Sequence, residues 1–250
     1  MFTFKKTPML GIFDSGVGGF SVYKKIRTVT SADVVYYGDT LHAPYGNRED
    51  VEIRSFIKDD IRFLQDEGVT HFVNACNSMS VITTDELLVE CNINKDHYID
   101  MIRAFDTYAS FTRNDHILVL ATEATVRSGV YEEVIQKKGG IASSYAYKDL
   151  ALLIENNASQ EELLMTIELG ISRAIEVSAT KIIYGCTHYP LLHDLFLIAQ
   201  EKLGWKGEFV DPSVYVAEAV KGFALTGERK FYPYSSKDTP AFIKNVIQLL

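Results

Sequence analysis

Cysteine is scarce in this chain, and the scarcity excludes whole classes of chemistry. Only Cys76, Cys91 and Cys186 occur among 250 residues, and none is two residues from another. Without Cys-x-x-Cys spacing there is no zinc-ribbon or dithiol redox pattern, and three thiols without a secretory leader do not form a disulfide framework. No such leader is read in Met1-Phe2-Thr3-Phe4-Lys5-Lys6-Thr7-Pro8, whose basic pair precedes only a short apolar strand before Asp14. No window approaches the roughly 20 apolar residues of a membrane span. Lys and Arg number 25 against 33 Asp and Glu, a net charge of −8 with no basic cluster of nucleic-acid-binding density. These absences imply a reducing cytoplasm and argue against membrane and nucleic-acid partners.

Hydrophobic residues make up 47% of the chain. They fall in short runs that alternate with amphipathic segments of helical length, the pattern of βαβ units and a largely parallel sheet. Strands are predicted over 9–13, 33–37, 70–73, 97–99, 116–121, 141–145, 181–184 and 208–210. Helices are predicted over 19–28, 48–67, 80–90, 128–138, 160–178, 190–203 and 214–223. The 48–67 segment carries Ile53, Ile57, Ile61 and Leu64 at helical spacing, so it reads as scaffold. The fold class expected is α/β: two similar doubly wound α/β domains with mainly parallel sheets and an active site in the cleft between them. Residues 1–100 plus 209–250 form the first domain, with Cys76, and 101–208 the second, with Cys186. The last forty residues are too few to fold alone and are expected to return to the first domain.

Two cysteines sit in matched settings. Cys76 lies in Val73-Asn74-Ala75-Cys76-Asn77-Ser78 and Cys186 in Ile183-Tyr184-Gly185-Cys186-Thr187-His188. Each follows a β-type run and precedes small polar residues, which places both thiols at carboxyl ends of strands, where open α/β sheets bind ligands. A helix N-terminus there is expected to lower a thiol pKa. Two thiols facing one ligand can pass a proton through it. A lone cysteine is more often a small core residue, which suits Cys91. His188 is either a structural histidine or an acid–base partner of Cys186. The turn Gly11-Ile12-Phe13-Asp14-Ser15-Gly16-Val17-Gly18-Gly19 lacks the Gly-Lys-Ser/Thr of a P-loop and the dinucleotide glycine spacing. Its Asp14 either caps the next helix or holds an ammonium or a base. The backbone N–H groups of Tyr45 and Gly46, after Pro44, can bind a carboxylate, and Thr122, Thr125 and Ser128 are helix caps or hydroxyl donors.

Together these segments resemble glutamate racemase, of the aspartate/glutamate racemase superfamily. The resemblance spans nearly the whole chain and rests on residues 13–19, Asp39-Thr40 with Pro44-Tyr45-Gly46, Ala75-Cys76-Asn77-Ser78, Thr122 with Thr125-Val126 and Ser128, and Gly185-Cys186-Thr187-His188-Tyr189-Pro190-Leu191. It implies cofactor-independent racemisation of glutamate, without a metal, that supplies D-glutamate for peptidoglycan. Cys76 and Cys186 would be the two acid–base groups, tuned by Asp14 and His188. Asp14, Ser15, Pro44, Tyr45, Gly46, Asn77, Ser78, Thr122, Thr125, Thr187 and His188 would bind substrate, and homodimers are common among such enzymes. The chain departs from the family in Ser78, where threonine is usual. It also has Tyr145-Ala146-Tyr147-Lys148 where a Cys-Pro pair is common, so Glu155 carries over only as a neighbour of His188. An aspartate or broader amino-acid racemase, or a silent binding protein on the same scaffold, are the alternative readings.

Overall fold

The computed structural model describes residues 9–237 and Phe242; residues 1–8, where no leader was read, lie outside them. Nine strands are described: β1 (Leu10–Asp14), β2 (Val34–Gly38), β3 (His71–Asn74), β4 (Tyr98–Asp100), β5 (His116–Ala121), β6 (Ile141–Ala146), β7 (Lys181–Gly185), β8 (Glu208–Val210) and β9 (Phe231–Ser235). They form two sheets, in the orders β4-β3-β1-β2-β9 and β6-β5-β7-β8, with every pairing parallel.

Eleven α-helices accompany them among the described residues: α1 (Phe20–Ile26), α2 (Asp50–Asp66), α3 (Asn77–Ser80), α4 (Asp85–Glu90), α5 (Met101–Tyr108), α6 (Glu123–Ser128), α7 (Val130–Lys137), α8 (Leu150–Glu155), α9 (Gln160–Glu176), α10 (His193–Leu203) and α11 (Ser213–Lys221). None is long and apolar enough to cross a membrane.

Strand alternation explains the layering. Leu10, Ile12, Val34, Tyr36 and Val73 turn to one face of the first sheet and pack with α1, α5 and α11. Phe13, Val35 and Phe72 turn to the other, against Ile53, Ile57, Ile61 and Leu64 of α2. In the second sheet Leu118, Leu120, Ile182 and Tyr184 meet α9 and α10, while Ile117, Val119 and Ile183 meet α7 and Phe105 of α5. Both faces of both sheets are therefore covered, which is why their strands are nearly continuous apolar runs.

The structure departs from the sequence reading at several points. The helix predicted over 80–90 begins only at Asp85, after the single turn α3 ends at Ser80: Ser80 Oγ donates to the Cys76 carbonyl at 2.7 Å, Thr83 Oγ1 to Met79 at 2.9 Å, and Thr84 caps α4. Hydroxyls that bond back to the preceding turn weaken a continuous helix. The 128–138 helix begins at Val130, because Gly129 adopts φ +67° between α6 and α7. Helices α5, α6 and α8 are not among the predicted ones, nor is β9, whose Pro233 masks it. Proline is tolerated on an edge strand, and β9 is the edge, paired with β2 from Val34↔Phe231 to Gly38↔Ser235. The segment from α11 to β9 thus returns to the first sheet, while β8 crosses the boundary expected after residue 208 and joins the second sheet whole.

Gly129→Ala should destabilise the protein by about 1–2 kcal/mol through the left-handed backbone alone, since a Cβ there meets nothing within 4 Å. Urea unfolding checks this.

Candidate active site

The candidate residues collect at the carboxyl ends of both sheets. Asp14 ends β1, Cys76 follows β3 by two residues, Thr122 follows β5, and Cys186 follows β7. Ser15, Pro44, Tyr45, Gly46, Cys76, Asn77, Ser78, Thr122, Cys186, Thr187 and His188 line one cavity. Asp14 and Thr125 lie behind its wall. The free space is about 30 Å³, enough for one or two water molecules.

Cys76 is 5% exposed, and its thiol donates to Ser15 Oγ at 3.6 Å. Its position is set by Asn74, which the sequence reading did not single out. Asn74 Oδ1 accepts from the Cys76 N–H at 3.1 Å and its Nδ2 donates to the Tyr98 hydroxyl at 3.0 Å. Cys76 does precede a helix, but α3 is a single turn. The expected lowering of its pKa is outweighed: burial first, then the nearby Asp14 carboxylate, push the thiol up. Burial also raises Asp14, against the pull of His188 and of the Gly19 and Gly16 N–H groups. Asp14 Oδ2 accepts from those N–H groups at 2.7 and 3.3 Å, and Oδ1 accepts from Thr187 Oγ1 at 3.4 Å. It therefore ties the glycine turn to the strand end that carries Cys186.

Cys186, also 5% exposed, has His188 Nδ1 3.7 Å from its sulfur. The other ring nitrogen, Nε2, lies 2.7 Å from Glu155 Oε1. Burial alone would lower the His188 pKa, but hydrogen bonds and charge from Cys186 and Glu155 raise it well above the ordinary value. Glu155 responds oppositely: burial pushes it up, and His188 together with the Val17 N–H brings it below the usual carboxylate range. Both shifts run in the direction expected when each partner favours the other's charged form.

Glu155 Oε1 also accepts from the Val17 N–H at 3.0 Å, which gives the glycine turn its purpose. A Cβ on Gly18 would stand 2.5 Å from both His188 Nδ1 and Thr187 Oγ1, and one on Gly16 would overlap Glu155. The glycines permit close approach between the two sheets' loops.

The remaining wall is rich in hydroxyls and amides. Ser78 Oγ and Thr122 Oγ1 are 3.0 Å apart across the cleft, and Thr122 donates to Thr125 Oγ1 at 3.1 Å. Thr122 also caps α6, the first of the two roles that sequence allowed; Ser128 donates to the Thr125 carbonyl at 2.7 Å. Asn77 Oδ1 accepts from Tyr131 at 2.6 Å, whereas its buried Nδ2 has no partner among the described residues. That amide is a donor free for a ligand carboxylate. The loop with Pro44, Tyr45 and Gly46 is held by Asp39, which accepts from the Tyr45 hydroxyl, from Ser236 Oγ at 2.6 Å, and faces His42 Nδ1 at 2.7 Å. Ala43, Asn47, Tyr147, Lys148, Ala151, Leu152 and Glu155 complete the lining; of these only Glu155 was expected near the site, as a neighbour of His188. Among the described residues no group of three or more His, Cys, Asp or Glu could hold a metal ion.

No family model matches the sequence. A glutamate racemase from Thermoanaerobacter sp. (strain X514) is 31% identical, over 96% of this chain and 92% of the relative. Among solved structures, glutamate racemase from Aquifex pyrophilus is 30% identical with a TM-score of 0.79, covering 97% of this chain and 94% of its own. Glutamate racemase from Francisella tularensis in complex with D-glutamate has a TM-score of 0.82 at 23% identity, covering 97% and 94%.

The His188–Glu155 pair carries a signed pH dependence. The raised His188 pKa contributes stability that is complete below about pH 6.5 and fades as pH rises through the folded value. The lowered Glu155 pKa contributes stability that is complete above about pH 4.3 and fades as pH falls through the folded value. Glu155→Gln should therefore cost most between those limits, about 1–3 kcal/mol, with a smaller deficit on either side. Urea unfolding of both proteins from pH 3 to 9 reads this directly.

Proposed function

The chain belongs to the glutamate racemase family, and from that premise we propose that it interconverts L- and D-glutamate with Cys76 and Cys186 as the two acid–base groups. The observation that carries this reading is the convergence of both thiols, from two different sheets, on one cavity. Racemisation needs the α-proton removed from one face and returned to the other. Two monoprotic groups on opposite sides do this without an electron-sink cofactor.

The two sides divide the work. On the Cys186 side, His188 is held by Glu155 and donates through Nδ1 toward the sulfur, which stabilises negative charge as it develops there. On the Cys76 side, burial keeps the thiol protonated in the free protein, ready to deliver a proton. Asp14, behind the wall, orders the turn that presents Ser15 to Cys76. The unpartnered Asn77 amide, the Ser78 and Thr122 hydroxyls, Thr187 and the Tyr45–Gly46 backbone supply neutral donors for two carboxylates, with Thr125 supporting Thr122.

The α-carbanion is poorly stabilised in water, so fixed donors in a dry site supply much of the rate. A cavity of about 30 Å³ holds little water, and the reading requires the loops around it to part to take in glutamate. It further places the protein in a reducing cytoplasm, as a homodimer supplying D-glutamate for peptidoglycan. Its two units are 1–100 plus the C-terminal return and 101–208, with the second extended through β8.

Cys76→Ala and Cys186→Ala should each lower kcat for glutamate by roughly 10² to 10⁴ while the far-ultraviolet circular dichroism stays native. In deuterated water the wild-type product should carry deuterium at the α-carbon. Substantial turnover by both single variants would overturn the two-thiol assignment, and faster turnover of L-aspartate than of L-glutamate would move the substrate to the alternative.

A further inference from the structure

Charge is sparse on the cavity wall. Among its lining residues only Lys148, Glu155 and His188 carry ionisable side chains of the acid or basic type beyond the thiols and tyrosines. Glu155 and His188 are committed to each other at 2.7 Å. Lys148 is different: it is exposed, and with exposed Asn47 and Leu152 it marks the mouth. Among the described residues it makes no ion pair and no side-chain hydrogen bond. Asp149, next in sequence, is exposed but does not line the cavity.

The substrate's charge gives this cation a task. Glutamate at neutral pH has two carboxylates and one ammonium, so it approaches as an anion, while the protein carries a net charge of −8. The interior donors are neutral hydroxyls, amides and backbone N–H groups, which hold a carboxylate but do not attract one from a distance. A lone ammonium at the rim does, within a Debye length of about 10 Å at 0.1 M salt. Its flexible four-carbon stem lets the charge follow the ligand inward. We propose that Lys148 is a specificity-determining residue that captures the anionic amino acid at the mouth of the cavity. The inference rests on glutamate being the substrate.

Lys148→Met should lower kcat/KM for glutamate by roughly three- to thirtyfold, the range for one opposite charge near a protein surface, with the loss in KM and kcat within about twofold. Lys148→Arg should stay within about threefold of wild type, and the fall of kcat/KM with added NaCl should be shallower for Lys148→Met than for wild type. Lys206→Met removes an exposed charge just before β8, at the opposite end of the second sheet, and should change kcat/KM by less than about twofold. A Met variant at 148 with wild-type kcat/KM and salt slope, or an equal loss from Lys206→Met, overturns the proposal. Calorimetric binding of D-glutamate separates the two readings. A wild type that binds D-glutamate without turning it over overturns the racemase reading and leaves the Kd ratio to decide Lys148; a wild type that does neither overturns both.

Discussion

A single carboxylate oxygen joins the two halves of the site. Glu155 Oε1, at the end of α8, accepts from the Val17 N–H in the turn after β1 and faces His188 Nε2 after β7. The first contact fixes the glycine turn, whose Ser15 meets Cys76. The second occupies one ring nitrogen of His188, so the other is left for Cys186. The surroundings of both thiols therefore depend on one group, which is partly sheltered from solvent and so screened less than a surface ion pair. Glycine at 16 and 18 is the backbone condition for that contact.

The two thiols occupy equivalent places in the two sheets, yet they are electrically unlike. Around Cys76, burial raises both the thiol and Asp14. Around Cys186, His188 and Glu155 stand paired at 2.7 Å, the first shifted up and the second down by the contact. A racemase must begin one direction with a proton on one side and the reverse with it on the other, so neither state can lie far below its alternative.

Much of this was legible in sequence because the signals are local. All eight predicted strands exist, since each is a short apolar run between polar turns, and the thiols sit at strand ends because Cys76 and Cys186 directly follow such runs. What escaped depends on partners distant in sequence. The strand β9 is recognisable only once β2 offers it an edge, and Asn74 matters only because Tyr98 and the Cys76 N–H converge on it. Glu155 could be carried over only weakly, because its role is defined by Val17, 138 residues away. The expected lowering of the Cys76 pKa failed for a related reason: the helix start was visible, but the burial and the Asp14 carboxylate that outweigh it were not.

The departure from the family pattern at residues 145–148 has a packing logic of its own. Tyr147 fills a buried space, edge-on to Tyr189 with ring centroids 5.5 Å apart and to Tyr145 at 5.2 Å. Its hydroxyl donates to the Ile167 carbonyl in α9 at 2.9 Å. A ring of that size is accommodated because α9 has glycine at 170, where any Cβ would collide with the Tyr147 hydroxyl. A glycine inside a helix costs about 1 kcal/mol relative to alanine, and here the cost is offset by a buried aromatic whose polar end is satisfied. Tyr189, three residues beyond Cys186, packs against Tyr147, so Tyr147 props the wall beside the second thiol. It also sets the start of the segment that presents Lys148 at the rim and Glu155 one helix further on. Tyr147 and Gly170 are thus one compensated pair, and the shape of the site beside Cys186 depends on both.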